Sequence, residues 1–483
     1  MQIQPISYKL SPSGEISLGG VSVPELARKY GSPLYVLCEE TIRANARNYT
    51  EALKKYYPNH LVLFASKALN NRAVCRIVED EGLGIDVVSG GELFTALSVK
   101  FPKSKIFFHG NNKSREELEY AIDNSVNIII DNFYELSLLE TILEHRLKYD
   151  GSAVQRQKIK LMLRITPGIE CHTHEYIKTG MIDSKFGFVL EQVEEAIATI
   201  LRLQTKFSGI HILGLHAHIG SQIFETDPQR DVATVLLEKY AALKSKFNLE
   251  LEDLNVGGGL GISYTESDDP PDAEELIAKV AEAVRSNCER LGLRLPRLLM
   301  EPGRSIVGPA GATIYTVGNI KTITEPQTGS LIRKYVAVDG GMADNTRPIM
   351  YGAKYHAEVN GKSGTRETVT IAGKYCESGD ILIKDVELPV MQAGDHLVVF
   401  ATGAYNYSKS SNYNRVVKPA MVLVHEGEAD IIIARESFDD IVRNDKLPKR
   451  LSNTRHPERS EGSLHGSNGV LHYVQDDGIL EQN

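Results

Sequence analysis

An amine, a run of glycines, two alternating histidines and a lone glutamate, each standing where an apolar run gives out, are the residues here that could do covalent chemistry. In Leu61-Val-Leu-Phe-Ala-Ser-Lys67-Ala-Leu-Asn-Asn71 a strand-type run ends in a lysine, and a helix-like segment follows. A lysine at the mouth of a buried strand is poorly solvated. Its pKa falls, and the neutral amine can form a Schiff base with an aldehyde. The plainer reading is a strand-end lysine with its head in solvent. Gly257-Gly-Gly259, and Gly303 within Glu301-Pro-Gly-Arg304, let backbone N–H groups close on an anion such as phosphate, since no side chain bars the way. Tight turns would need the same glycines. Glu301 can hold a protonated ring nitrogen or make an ordinary ion pair. His216 and His218 alternate, so on a strand they share a face. They suit either a metal or a flat cofactor, with one imidazole stacked on the ring and Ser221 offering a hydroxyl to phosphate. No further ligand stands nearby, so no metal is expected. Cys171-His172-Thr-His174-Glu175 has no standard metal spacing and reads as loop chemistry of unassigned purpose.

A second group lies further along. Arg347 and Tyr351, in Arg347-Pro-Ile-Met-Tyr351, are one helical turn apart on one face. Lys374-Tyr-Cys376-Glu377-Ser-Gly-Asp380 pairs a thiol with a carboxylate in a turn, and Gly403-Ala-Tyr405 follows a strand. Each alone reads as loop, and Cys376 alone as a small buried hydrophobe.

The elements that must position these residues alternate regularly between residues 41 and 310. Strand candidates are Leu61–Ser66, Gly84–Val88, Ile106–His109, Asn127–Ile130, Lys160–Ile165, Gly214–Ile219, Leu254–Val256 and Leu298–Met300. Amphipathic helix candidates fall between them, such as Asp227–Phe247 and Ala273–Leu291. This pattern predicts a (β/α)8 TIM barrel, whose chemistry belongs at the C-terminal strand ends. A doubly wound sheet would want G-x-G-x-x-G after the first strand, which is absent. Lys67, His109, Arg164, His216, Gly257 and Glu301 all stand at such ends. Residues 311–445 read as an all-β domain that the strands of residues 1–40 complete. Residues 446–483 are polar and aperiodic and read as a disordered tail without assigned function.

With 483 residues the chain exceeds one ordinary core. A formal charge of −9 argues against nonspecific nucleic-acid binding. Five scattered cysteines without a C-x-x-C pair suit a reducing compartment. With no signal-like N-terminus and no apolar run of spanning length, the cytoplasm is expected and a membrane is not.

Assembled, these pieces resemble the alanine-racemase-like pyridoxal phosphate enzymes of decarboxylase type, and within them the diaminopimelate decarboxylase family. The resemblance rests on Ser66-Lys67-Ala68, Asp86-Val-Val-Ser-Gly-Gly-Glu92, His172-Thr-His174-Glu-Tyr, Asp183-Ser-Lys-Phe-Gly187 and His216-Ala-His-Ile-Gly-Ser221. It continues through Gly257-Gly-Gly-Leu-Gly261, Glu301-Pro-Gly-Arg304, Asp339-Gly-Gly-Met342, Arg347-Pro-Ile-Met-Tyr351, Cys376-Glu-Ser-Gly-Asp380, Gly403-Ala-Tyr405 and Ser411-Asn-Tyr-Asn414. Phe64 and Leu69 depart from the commoner Tyr and Asn without touching the chemistry. The resemblance implies that Lys67 carries pyridoxal 5'-phosphate, Glu301 faces the pyridine nitrogen and His218 stacks on the ring. Ser221, Gly259, Gly303 and Tyr405 would hold the phosphate. Arg304 could serve phosphate or substrate. Cys376 would protonate the carbanion from the partner subunit of a homodimer with shared sites. Arg347, Tyr351 and Tyr405 would bind the far carboxylate end of diaminopimelate and Glu377 its far ammonium, giving lysine and CO2. Carboxynorspermidine, ornithine or arginine decarboxylases, and a non-catalytic cofactor carrier, are the alternatives.

Overall fold

The computed structural model describes residues 3–151, 157–169 and 183–452. Cys171, His172, His174 and most of the tail lie outside them. The expected barrel is present. Its eight parallel strands are His60–Ala65, Gly84–Val87, Ile106–Phe108, Asn127–Ile130, Ile159–Thr166, Ile210–Ala217, Asp253–Asn255 and Arg297–Met300, the last pairing back onto the first. The βα turns carry their own helix starts. Asn71, Ser89, Ser114 and Asn132 each accept the N–H three residues on, satisfying a donor the new helix leaves open. The sixth strand begins at Ile210 rather than Gly214. Exposed His211 interrupts its apolar run, and the register shifts between Ile212 and Gly214. The helix between the fifth and sixth strands starts as a 3-10 turn at Leu190 and becomes α-helical only at Val193.

Side chains alternate in and out along each strand, and the barrel uses this to change character within one layer. Leu63, Phe107, Ile129, Met162, Leu213 and Leu299 form an apolar plug inside the barrel. Two residues beyond four of these, still facing inward, come His109, Asp131, Arg164 and Glu301, all buried. Above its plug the barrel is therefore polar, on the side where a barrel opens to ligand.

The all-β domain is built on Gly311–Thr324, which pairs with Leu331–Val338, with His396–Phe400 and, antiparallel, with the N-terminal strand Leu34–Cys38. Leu34–Cys38 also runs parallel to Ala420–His425, so this N-terminal strand lies inside the sheet, whereas Lys9–Leu10, Ile16–Leu18 and Val21–Ser22 before it form a three-stranded sheet of their own. A short strand, Ala357–Val359, escapes the alternation pattern because three residues carry too little of it. Residues to Ser437 form one compact unit; beyond it are two short helices, Phe438–Val442 and Lys449–Ser452. Among the described residues no helix is long and apolar enough to cross a membrane.

Candidate active site

A cavity of about 1030 Å³ opens at the C-terminal end of the barrel, under a loop of the β-domain. Lys67 enters it from the turn after the first strand. That turn is tied to the β-domain at Ala68, whose carbonyl accepts from the Tyr405 N–H and the Ser408 hydroxyl, each at 2.8 Å. The two domains thus meet one residue from the amine.

Lys67 corrects one expectation. Burial lowers its pKa, but the carboxylate of Asp86 foremost, then Tyr405 and Glu301, outweigh it, and the net direction is upward. The ammonium is held charged because acids from two other strands face it. Asp86 is itself pushed up by burial, with Lys67 working against that. Lys67 is only partly covered, its open side lining the cavity, so it is neither a solvent-facing lysine nor a packed one.

Glu301 closes the eighth strand at 5% exposure. Its Oε1 accepts from Asn255 Nδ2 at 2.7 Å and lies 3.0 Å from His109 Nε2, while Oε2 is 3.2 Å from His216 Nε2. Burial opposes its charge, yet these imidazoles hold it well below the usual carboxylate range. Desolvation pulls His216 down to about 4 and lowers His109, so both rings face Glu301 as neutral imidazoles, His216 Nε2 in hydrogen-bond contact and His109 Nε2 close but without a hydrogen bond. The two rings pack edge to face at 4.7 Å. His218 is not on this cluster despite sharing the strand-end motif. Its Nδ1 accepts the Gly258 N–H at 3.3 Å, and burial, with Lys67 and Arg164 nearby, keeps it neutral.

A recess lined by Ser221, Gly259, Gly303, Arg304 and Tyr405 adjoins the cavity, with Lys67, His218 and Glu301 on its walls as well. The N–H groups of Gly257 and Gly258 are taken by Asn255 Oδ1 and His218 Nδ1, and of the three glycines only Gly259 lines the recess. A Cβ on Gly259 would meet Gly220 O at 2.5 Å and one on Gly303 would meet Ala65 O at 2.8 Å. Glycine is required because the loops pack this closely, and the packing shapes the recess. Arg304 donates to Ser221 Oγ at 2.8 Å and Tyr264 Oη at 2.5 Å, with its plane 4.7 Å from the Tyr405 ring. Arg347, buried on a five-residue helix, donates to Tyr355 Oη at 2.5 Å and lies 4.4 Å from the Tyr264 ring. Tyr351, on the same helix, lines the cavity with it.

Lys67, His218, Ser221, Gly259, Glu301, Gly303, Arg304, Arg347, Tyr351 and Tyr405 are thus brought together. Cys376 and Glu377 are not among the lining residues. Cys376 is exposed rather than a buried hydrophobe, its N–H bonded to Asn414 Oδ1 at 2.9 Å. Motif reading assigns no role to Asp86, His109, Asn255, Tyr264 or Lys409. The first three stand at barrel strand ends, which is the signal that finds them; Tyr264 and Lys409 come from loops that carry none.

An acid, an arginine-and-glycine recess and an amine gathered in one space match a flat ring with a basic nitrogen, an aldehyde and a phosphate. Asp86 Oδ1, His216 Nδ1 and Arg304 Nε are buried around this space without hydrogen-bond partners, as expected of walls built to meet a polar guest. Pyridoxal phosphate fits these residues. Residues 39–308 match the pyridoxal-binding domain of the pyridoxal-dependent decarboxylases, which is the class that barrel and site define. The chain is 48% identical to the diaminopimelate decarboxylase of Synechocystis over 92% of its length and 93% of the relative's. To that of Bacillus subtilis it is 46% identical, over 89% and 95%. The structure of the M. jannaschii diaminopimelate decarboxylase in complex with L-lysine superposes with a TM-score of 0.82 at 33% identity, covering 93% of this chain and all of that one. The chain belongs to the diaminopimelate decarboxylase family.

Proposed function

We propose that the protein decarboxylates meso-2,6-diaminopimelate to L-lysine and CO2, the closing step of lysine biosynthesis. The observation that carries the substrate is the charge of the cavity wall. In a chain of formal charge −9, Arg304, Arg347 and Lys409 all line the cavity, their side-chain hydrogen bonds go to hydroxyls, and no acidic side chain among the described residues pairs with them. A phosphate accounts for Arg304 beside Ser221. The other two suit a carboxylate remote from the reacting carbon, which ornithine lacks.

Bound pyridoxal phosphate supplies an electron sink for the pair left on Cα when the carboxylate departs as CO2. Lys67 is the amine that would carry the cofactor's aldehyde. Glu301, kept ionised by Asn255 and the two imidazoles, would hold the proton on the ring nitrogen. Neutral His218 would lie against the ring without adding charge. Ser221, Gly259, Gly303, Arg304 and Tyr405 would fix the phosphate, and with it the tilt of the ring. Arg347, Tyr351 and Tyr405 would hold the far carboxylate, and Glu377 the far ammonium. Cys376 would deliver a proton to Cα from Sγ. Because Cys376 and Glu377 do not line the cavity of their own chain, their roles call for a second copy, an interlocked homodimer. In this reading residues 41–310 form the cofactor domain, and residues 311–445, completed by 1–40, supply the crossing residues. A cytoplasmic location suits a reduced Cys376.

The test measures CO2 release from meso-diaminopimelate, ornithine and arginine by wild type and Lys67→Ala. Release from diaminopimelate alone, with loss of both turnover and visible cofactor absorbance in the variant, is expected. Ornithine as the preferred substrate would overturn the assignment.

A further inference from the structure

Lys409 lines the cavity, and no motif singles it out. It ends the short turn Tyr407–Lys409, and this turn is anchored at Ser408 to the same Ala68 carbonyl that holds Tyr405. The position of Lys409 is therefore tied to the loop bearing Lys67. Its Nζ hydrogen-bonds the Tyr351 hydroxyl and lies 4.6 Å from the Tyr351 ring centroid and 6.0 Å from that of Tyr405. An ammonium has donors and no acceptor, so in this bond the Tyr351 oxygen must accept. The phenolic proton is then turned toward other acceptors, and the adjacent positive charge makes it a better donor. Arg347, one helical turn away from Tyr351, presents a second cation to the same part of the cavity.

Resting on the functional reading above, we infer that Lys409 is a specificity-determining residue: it orients Tyr351 as a donor and adds charge for the substrate carboxylate remote from the bond that breaks. A ligand that keeps that carboxylate gains from Lys409. One that lacks it does not.

L-lysine retains the remote carboxylate and 1,5-diaminopentane lacks it, so the two isolate the effect. Each is titrated calorimetrically into holoenzyme of wild type, Lys409→Met, Tyr351→Phe and the double variant, alongside steady-state kinetics with meso-diaminopimelate. Lys409→Met is expected to weaken L-lysine about tenfold, to change 1,5-diaminopentane less than about twofold, and to raise KM more than it lowers kcat. On the Tyr351→Phe background the loss should shrink to about twofold or less. Equal weakening of both ligands, or an undiminished loss without the tyrosine hydroxyl, overturns the inference while leaving the decarboxylase reading intact. A wild type that neither binds L-lysine nor releases CO2 from meso-diaminopimelate overturns both.

Discussion

Glu301 in the barrel and Asp344 in the β-domain are both buried carboxylates, yet the protein sustains the charge on one and not on the other. Glu301 accepts from Asn255 and lies within 3.2 Å of the Nε2 atoms of His109 and His216, and it stays well below the usual range. Asp344 accepts from the Tyr315 hydroxyl at 2.5 Å, the Gly341 N–H at 2.8 Å and the Tyr375 hydroxyl at 3.4 Å, with Asp380 and Asp339 adding like charge. Burial, helped by those two acids, pushes it up to about 7. Depth alone does not decide whether a carboxylate keeps its charge. The chemistry and the sign of the neighbours do. The barrel sustains a charge where it has work to do on a ligand, which is why perturbed groups mark such sites.

The harshest way to break this comparison is to remove the sustained charge. Glu301→Gln keeps the shape and the acceptor for Asn255 but loses the anion. It should lower kcat by about two to three orders of magnitude, with the fold, followed by circular dichroism, intact. A rate near wild type would mean that the charge at the eighth strand is incidental.

A milder change sharpens it. His216→Phe removes one N–H donor and leaves burial to act on Glu301, so its pKa rises. A carboxylate with a higher pKa is protonated at higher pH, so the acid limb of the kcat–pH profile should move upward. The loss relative to wild type should be about tenfold near pH 6 and smaller near pH 8. An unmoved limb would show that the imidazoles merely fill space.

Much of this arrangement is legible in the sequence because the barrel repeats one rule. A strand that points Phe107 inward also points His109 inward, and the same holds for Met162 with Arg164 and Leu299 with Glu301. Lys67, Glu301 and the glycine turns stand out for that reason. What the sequence conceals depends on strands meeting. The upward shift of Lys67 comes from Asp86 and Glu301, on the second and eighth strands, so local desolvation predicts the wrong sign. Tyr264, wedged between Arg304 and Arg347, arrives on a loop with no periodic signal. Cys376 is exposed because its turn projects from the β-domain, and nothing near it in sequence distinguishes that turn from a packed one. In the β-domain the long strand Gly311–Thr324 is plain as far as Ile320, whereas its end is exposed and polar, and the pattern fades there.

The smallest effect concerns Asp344 and reads stability rather than rate. Its folded pKa of about 7 lies above its ordinary value of 3.8, so between these the folded state binds the extra proton. Stability must then fall as pH rises through that window and stay lower above it. Asp344→Asn removes this titration while keeping one acceptor for Tyr315. Urea unfolding of both proteins at pH 5 and pH 8 should therefore show wild type losing about 2 kcal/mol more than the variant over that interval. The difference between the two proteins is the quantity to follow, because the remaining titrating groups are shared and cancel. A difference that stays flat across the interval would mean Asp344 is ionised throughout. The two carboxylates would then be alike, and the neighbours around Glu301 would not be what sets it apart.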